Sequence, residues 1–189
     1  DLGSNPVDAR ATIQNLKDYR MEANLKATVN LSEVNKMFPM EGLEVKGMFS
    51  ANANINGIYD SIKKIIPSID AAMTLKDGFV KTSKFPLPLQ NLQFNSTVKN
   101  TSGKMAETTL AVKDFSMVLD GEKLTADLLL QNLADYTWSL KANGGIDLEK
   151  MTKIFPLEGM SVAGKVKANI DTKGKYSDVT AKHYDKLPT

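Results

Sequence analysis

The chain of 189 residues contains no cysteine and one histidine, and only two of its 24 basic residues, Arg10 and Arg20, are arginines. Without sulfur there is no disulfide framework, thiolate zinc site, iron–sulfur cluster or cysteine nucleophile. A Ser/His/Asp triad would have to use His183, six residues from the end, and no site with two histidine ligands can be built. A net charge of +2 gives no electrostatic reason to expect nucleic acid, and lysine lacks the planar fork that reads phosphates and bases bidentately. No stretch approaches the eighteen or so apolar residues of a membrane-spanning helix. The opening DLGSNPVDAR lacks the basic and apolar regions of a signal peptide, and neither end looks like a natural terminus, which predicts an excised segment. Little catalytic chemistry can be assembled from this composition, so no enzyme and no cofactor is expected.

What the chain does have is an internal repeat at an offset of 117 residues. QNLKDY at 14–19 returns as QNLADY at 131–136, and the register runs on without a gap. Lys36, Phe38, Pro39, Glu41, Gly42, Val45 and Gly47 match Lys153, Phe155, Pro156, Glu158, Gly159, Val162 and Gly164. Ala51, Asn52, Gly57 and Tyr59 match Ala168, Asn169, Gly174 and Tyr176. There are 17 identities in the 46 positions 14–59, where background usage would give about three.

Each copy reads as strand, short helix, strand. Tyr19, Met21, Ala23, Leu25, Ala27 and Val29 alternate with polar residues, as do Tyr136, Trp138, Leu140, Ala142, Gly144 and Ile146. Asn30 or Asp147 can cap a helix that shows Leu31, Val34, Met37 and Phe38, or Leu148, Met151, Ile154 and Phe155, on one side, and Pro39 or Pro156 ends it. A long second strand follows, with Val45, Gly47, Phe49, Ala51, Ala53 and Ile55 inward in copy one and Val162, Gly164, Val166, Ala168 and Ile170 in copy two.

Between the copies, residues 60–67 read as a second short helix with Ile62, Ile65 and Ile66 on one side. Alternating strands and turns follow, the turns at Asp77-Gly78, residues 100–103 and Asp120-Gly121. The apolar parity changes between Val112 and Phe115, which predicts a bulge or tight turn at Lys113-Asp114. Two prolines, Pro86 and Pro88, make residues 84–89 read as an extended crossover rather than a strand. The expected fold is mainly β: about ten strands in one or two long, curved, largely antiparallel sheets, forming a groove or a flattened sandwich, with two or three short amphipathic helices. We expect one β-rich unit over 1–189: copy one about 13–60, intervening strands 61–129, and copy two about 130–178, truncated.

The FPLEG pattern at 155–159 with its following Gly164, Asn169, Gly174 and Tyr176, its counterpart in copy one, and the proline-bounded FPLPLQNL at 85–92 resemble the AsmA family of bacterial envelope proteins, most closely the AsmA-like proteins of Bacteroidetes. The likeness covers nearly the whole chain and carries no catalytic signature. It implies a build similar to TamB and other repeating β-groove proteins: a periplasmic body in a Gram-negative bacterium, membrane-anchored through segments outside this sequence, that takes part in outer-membrane assembly or phospholipid transport. The partner so implied is a phospholipid or other acyl-chain lipid.

An acyl-chain trough needs an apolar floor with small residues in it. The candidates for lipid contact are Val45, Phe49, Ala51, Ile55, Val162, Val166, Ala168, Ile170 and Trp138. The competing reading is an ordinary sealed core, in which the same glycines and alanines let the short helix sit close on the sheet and Trp138 is a core anchor. The chain would then be a structural spacer or protein-interaction module. A transmembrane barrel also alternates, though proline-terminated helices inside the repeat argue against one. Asp114, Asp120 and Glu122 lack calcium-loop spacing, and Lys63-Lys64 reads as a solvated face.

Overall fold

The computed structural model describes residues 3–15, 19–83, 85–149 and 163–180. Nine strands form one antiparallel sheet in which each strand pairs with its neighbours in sequence: β1 (Val7–Asn15), β2 (Arg20–Asn30), β3 (Leu43–Ile58), β4 (Ser68–Thr82), β5 (Phe85–Asn100), β6 (Thr109–Leu119), β7 (Glu122–Gln131), β8 (Thr137–Asp147) and β9 (Lys165–Lys175). The sheet is not closed into a barrel. Each strand packs against its sheet neighbours, and among the described residues Ala51 and Leu75 are the buried hydrophobic side chains, which is the exposure of a single layer rather than of two stacked sheets.

The period-two pattern explains why one sheet has two unlike faces. Directly paired residues of an antiparallel ladder point the same way, and the registers carry apolar residues from strand to strand. One row runs Ala27, Ala51, Met73, Ser96, Val112, Leu128, Leu140 across β2 to β8. A second runs Leu25, Ala53, Ala71, Val98, Leu110, Leu130, Trp138, Gly174 from β2 to β9. The opposite face carries rows such as Asp8, Lys26, Asn52 and Arg10, Asn24, Asn54, Asp70, Lys99.

Keeping the apolar set on one face requires an extra residue in each of three neighbouring strands, β4, β5 and β6. Asp77 in β4, Asn91 in β5 and Asp114 in β6 sit at the register shifts of adjacent strands with φ of 52°, 50° and 53°. Asp and Asn enter this left-handed region at lower cost than other non-glycine residues. Each bulge switches the inward parity, from Leu75 to Gly78, from Leu89 to Leu92 and from Val112 to Phe115, and such bulges increase local twist. The Asp114 amide donates to Asp127 Oδ1 at 2.9 Å, and Asn95 Nδ2 donates to Asp114 Oδ2 at 3.0 Å. Beside this seam in β3, Gly47 has φ 127°, and a Cβ there would stand 2.8 Å from the Lys76 carbonyl oxygen.

Three local expectations are corrected. Asp77-Gly78 is a bulge inside β4 and not a turn, because the strand resumes its pairing beyond it. Residues 84–89 are not a crossover: β5 begins at Phe85, and Phe85 and Leu89 pair with Thr82 and Val80, whereas neither proline is called on to donate to the ladder. Residues 60–67 form no helix; Asp60 and Ile65 bridge each other, and Asp60 Oδ1 accepts from the amides of Ile62 and Lys63, a side-chain-capped turn. The Asp120-Gly121 turn is as expected, with φ of 53° and 81° at its two residues, the combination a two-residue hairpin needs.

Helix α1 (Leu31–Met37) follows β2 and is capped by the Asn30 side chain, which accepts from the Ser32 amide at 3.0 Å. Buried Asn5 ties this end together, accepting from the Asn30 amide at 2.6 Å and donating to Glu33 at 3.1 Å. A one-turn helix, α2 (Tyr176–Thr180), follows β9. Beyond Leu148 and Glu149, the helix expected in copy two lies outside the described residues.

The repeat is structural as well as sequential. Adding 117 to β2 gives the span of β8, and adding it to all eleven β2–β3 pairs, from Arg20↔Ile58 to Asn30↔Met48, gives the eleven β8–β9 pairs. The β1–β2 pairs from Val7↔Ala27 to Ile13↔Met21 likewise become those from Leu124↔Gly144 to Leu130↔Trp138 of β7–β8. One period is therefore six strands.

Candidate functional site

Eight of the nominated residues and the central rows share the apolar face. Val45 is in register with Val80 and, through it, with Leu89 and Leu119; Phe49 lies between Val29 and Leu75; Ala51 lies between Ala27 and Met73; Ile55 lies between Ala23 and Ile69. On the same face near the opposite edge of the sheet, Trp138 opposes Gly174, Ala168 opposes Gly144, Ile170 opposes Ala142 and Val166 opposes Ile146. Val162 lies outside the described residues. The candidates thus fall into two groups, on β3 and on β8–β9, about 24–29 Å apart at the usual strand spacing. Between them, Met73, Leu75, Val98, Leu110, Leu128 and Leu130 fill the same face; identity at the 117-residue offset does not mark these positions, but the alternation of their strands does.

The face is apolar without being sealed. Ala51 and Leu75 are its buried hydrophobic residues, each 7% exposed, and most other positions are half-buried. Val166 and Ile170 are 46% and 44% exposed. A face covered by a second packed layer would hold its large aliphatic side chains below a tenth. Among the described residues, α1 is the one helix that packs on the body of the sheet, against the ends of β2 and β3, and it has no buried residue. It is too short and too peripheral to cover nine strands.

Small residues on this face do not all leave room. Trp138 lies over Gly174, and the Leu124 side chain lies over Gly144, in each case where a Cβ would have to be. Gly47 is required by backbone geometry and not by space for a ligand. At these positions the packing reading holds and the trough reading does not. Open depressions lie elsewhere: one is bounded by Asp8, Arg10, Asn24, Leu25, Lys26, Asn52 and Asn54, another has a mixed lining that includes Ala111, Val112, Asp114, Leu129 and Lys141, and a third lies at the strand ends between Tyr19, Ile58, Tyr59, Ile62 and Ile65. Their ion pairs, such as Lys141–Asp171 at 3.5 Å, are exposed and contribute little.

A polar clamp closes one corner. Asp135, in the turn after β7, binds Lys175 Nζ at 2.8 Å and accepts from the Ser177 amide at 3.0 Å. Lys175 and then the Ser177 donors hold the Asp135 carboxyl below its ordinary value of 3.8, and the same carboxylate raises the Lys175 ammonium above 10.5. Tyr136 and Tyr176 stack at 4.7 Å beside the pair, and the Tyr176 amide donates to the Tyr136 carbonyl. The repeat-related pair shows the same backbone bond, from the Tyr59 amide to the Tyr19 carbonyl.

Among the described residues no helix is long and apolar enough to cross a membrane. Compared with protein families, with characterised proteins and with solved structures, the chain finds no match.

Proposed function

We propose that this chain is a non-catalytic periplasmic segment of an AsmA-like protein, and that it holds the acyl chains of phospholipid against the apolar face of its sheet during outer-membrane assembly or lipid transport. The observation that carries this reading is the half-exposed apolar face itself, continuous from β2 to β9 in a single layer. Leaving such a face in water is costly at roughly 25 cal/mol per Å², so it selects an apolar cover. An acyl chain meets the requirement because each methylene withdrawn from water contributes about 0.8 kcal/mol, with no need for directional partners. The polar face, rich in lysine, asparagine and aspartate, stays hydrated meanwhile.

Trp138, the sole tryptophan, stands on this face and reports its occupancy. The protein purified without detergent should carry extractable phospholipid by native mass spectrometry, and adding short-chain phospholipid to delipidated protein should shift Trp138 emission to the blue. Absence of bound lipid together with unchanged Trp138 emission would overturn the reading. Fractionation of the source cells should place the full-length protein in the envelope.

A further inference from the structure

The two edges of the sheet are not equivalent to edges within the repeat. Under the offset of 117, β9 corresponds to β3, and β1 corresponds to β7. Both counterparts are interior strands: β3 pairs with β4 through thirteen residues on its far side, and β7 pairs with β6. Among the described residues β9 has β8 alone. The difference shows in burial at matched positions. Ala51 is 7% exposed beneath β4, whereas Ala168 is exposed; Phe49 and Ala53 are half-buried, whereas Val166 and Ile170 are 46% and 44% exposed. The residues that bury β3 are Leu75, Met73 and Ala71, directly opposite Phe49, Ala51 and Ala53.

We infer that the outer edge of β9 is a strand-binding site whose occupant is an antiparallel segment of the β4 type. Its register follows from the repeat: three alternate apolar residues oppose Val166, Ala168 and Ile170, where β4 sets Leu75, Met73 and Ala71 against β3. Where β3 has Asn54 and Met48, β9 has Asp171 and Lys165, which already pair with Lys141 at 3.5 Å and with Glu122 at 3.1 Å, so the occupant is specified by its apolar alternation. A second copy offering β1 with its apolar face on the same side would run parallel to β9, since both are odd-numbered strands of an antiparallel order. The main-chain hydrogen bonds of the added strand supply affinity and the alternating side chains supply register, the mode known as β-augmentation.

The test uses the whole protein, delipidated, with a synthetic 15-residue peptide of the β4 sequence. Hydrogen exchange should slow at least tenfold at alternate amides of β9 and stay unchanged in β1. A photoreactive group at the peptide's position 73 should attach near Ala168. Equal protection by a peptide of the same composition with its alternation scrambled, protection of β1 and β9 alike, or no protection at saturating peptide would each overturn the inference. None of these readings depends on lipid, so the lipid assignment and this one can fail separately.

Discussion

Trp138 on β8 lies over Gly174 of β9, its ring carbons filling the volume that a side chain at 174 would take. The pair joins the last two strands through an aromatic anchor and a vacancy shaped for it. Replacing Gly174 with valine should push the indole off the sheet. We expect a loss of about 1–3 kcal/mol in unfolding free energy, as for other overpacked sites, with Trp138 emission moving to the red. Unchanged emission in a folded Gly174→Val protein would refute the arrangement.

Gly47 and Gly164 occupy the same repeat position with φ of 127° and 115°, yet their surroundings differ. At Gly47 a Cβ would meet backbone atoms of β4 below 3.0 Å, and at Gly164 it would meet nothing within 4 Å. Both alanine variants bear backbone strain of order 1–3 kcal/mol. Gly47→Ala should be destabilised more than Gly164→Ala in chemical denaturation, by a further kcal/mol or so for displacing the β4 backbone. Equal losses would mean that the bulge beside Asp77 yields freely.

Ile170 is nearly half exposed on the apolar face, so a charge can be placed there without breaking a sealed core. Ile170→Glu should change stability by no more than about 0.5–1 kcal/mol. It should reduce phospholipid recovered with the protein severalfold, because an acyl chain would have to desolvate the carboxylate. Native lipid content in a folded Ile170→Glu protein would place the lipid elsewhere.

The clamp between Asp135 and Lys175 should confine α2 over a broad pH range. Because the carboxyl is lowered in the folded state, its contribution is complete above its ordinary value of 3.8 and fades as pH falls through the lower folded value. Because the ammonium is raised, its contribution is complete below 10.5 and fades as pH climbs past the higher folded value. The amide resonance of Ser177 should hold steady between these limits and move below the lower one. In Asp135→Asn the acid transition should vanish; its persistence would assign it to another carboxylate.

The sequence by itself determined the strand count to within one, the two unlike faces, the 117-residue period and the change of inward side at Lys113-Asp114, which alternation leaves open between a bulge and a tight turn. Each of these is written in local alternation or in identity at a fixed offset, and needs no knowledge of what lies across the sheet. The two other bulges escaped it because Asp77-Gly78 has turn chemistry and Asn91 follows a proline-bearing segment. A left-handed residue looks alike in a turn and in a bulge until pairing resumes beyond it. Residues 60–67 misled in a similar way, since apolar spacing of three and four is also what a capped turn can show. Among the candidate residues, alternation selected the right face but could not say whether that face was covered. Only the tertiary structure decided that, by joining all nine strands in one layer, laying Trp138 and Leu124 over two glycines, and leaving Val166 and Ile170 open. Burial depends on which strand comes to lie beside another, a relation between residues far apart in the chain that no local pattern encodes.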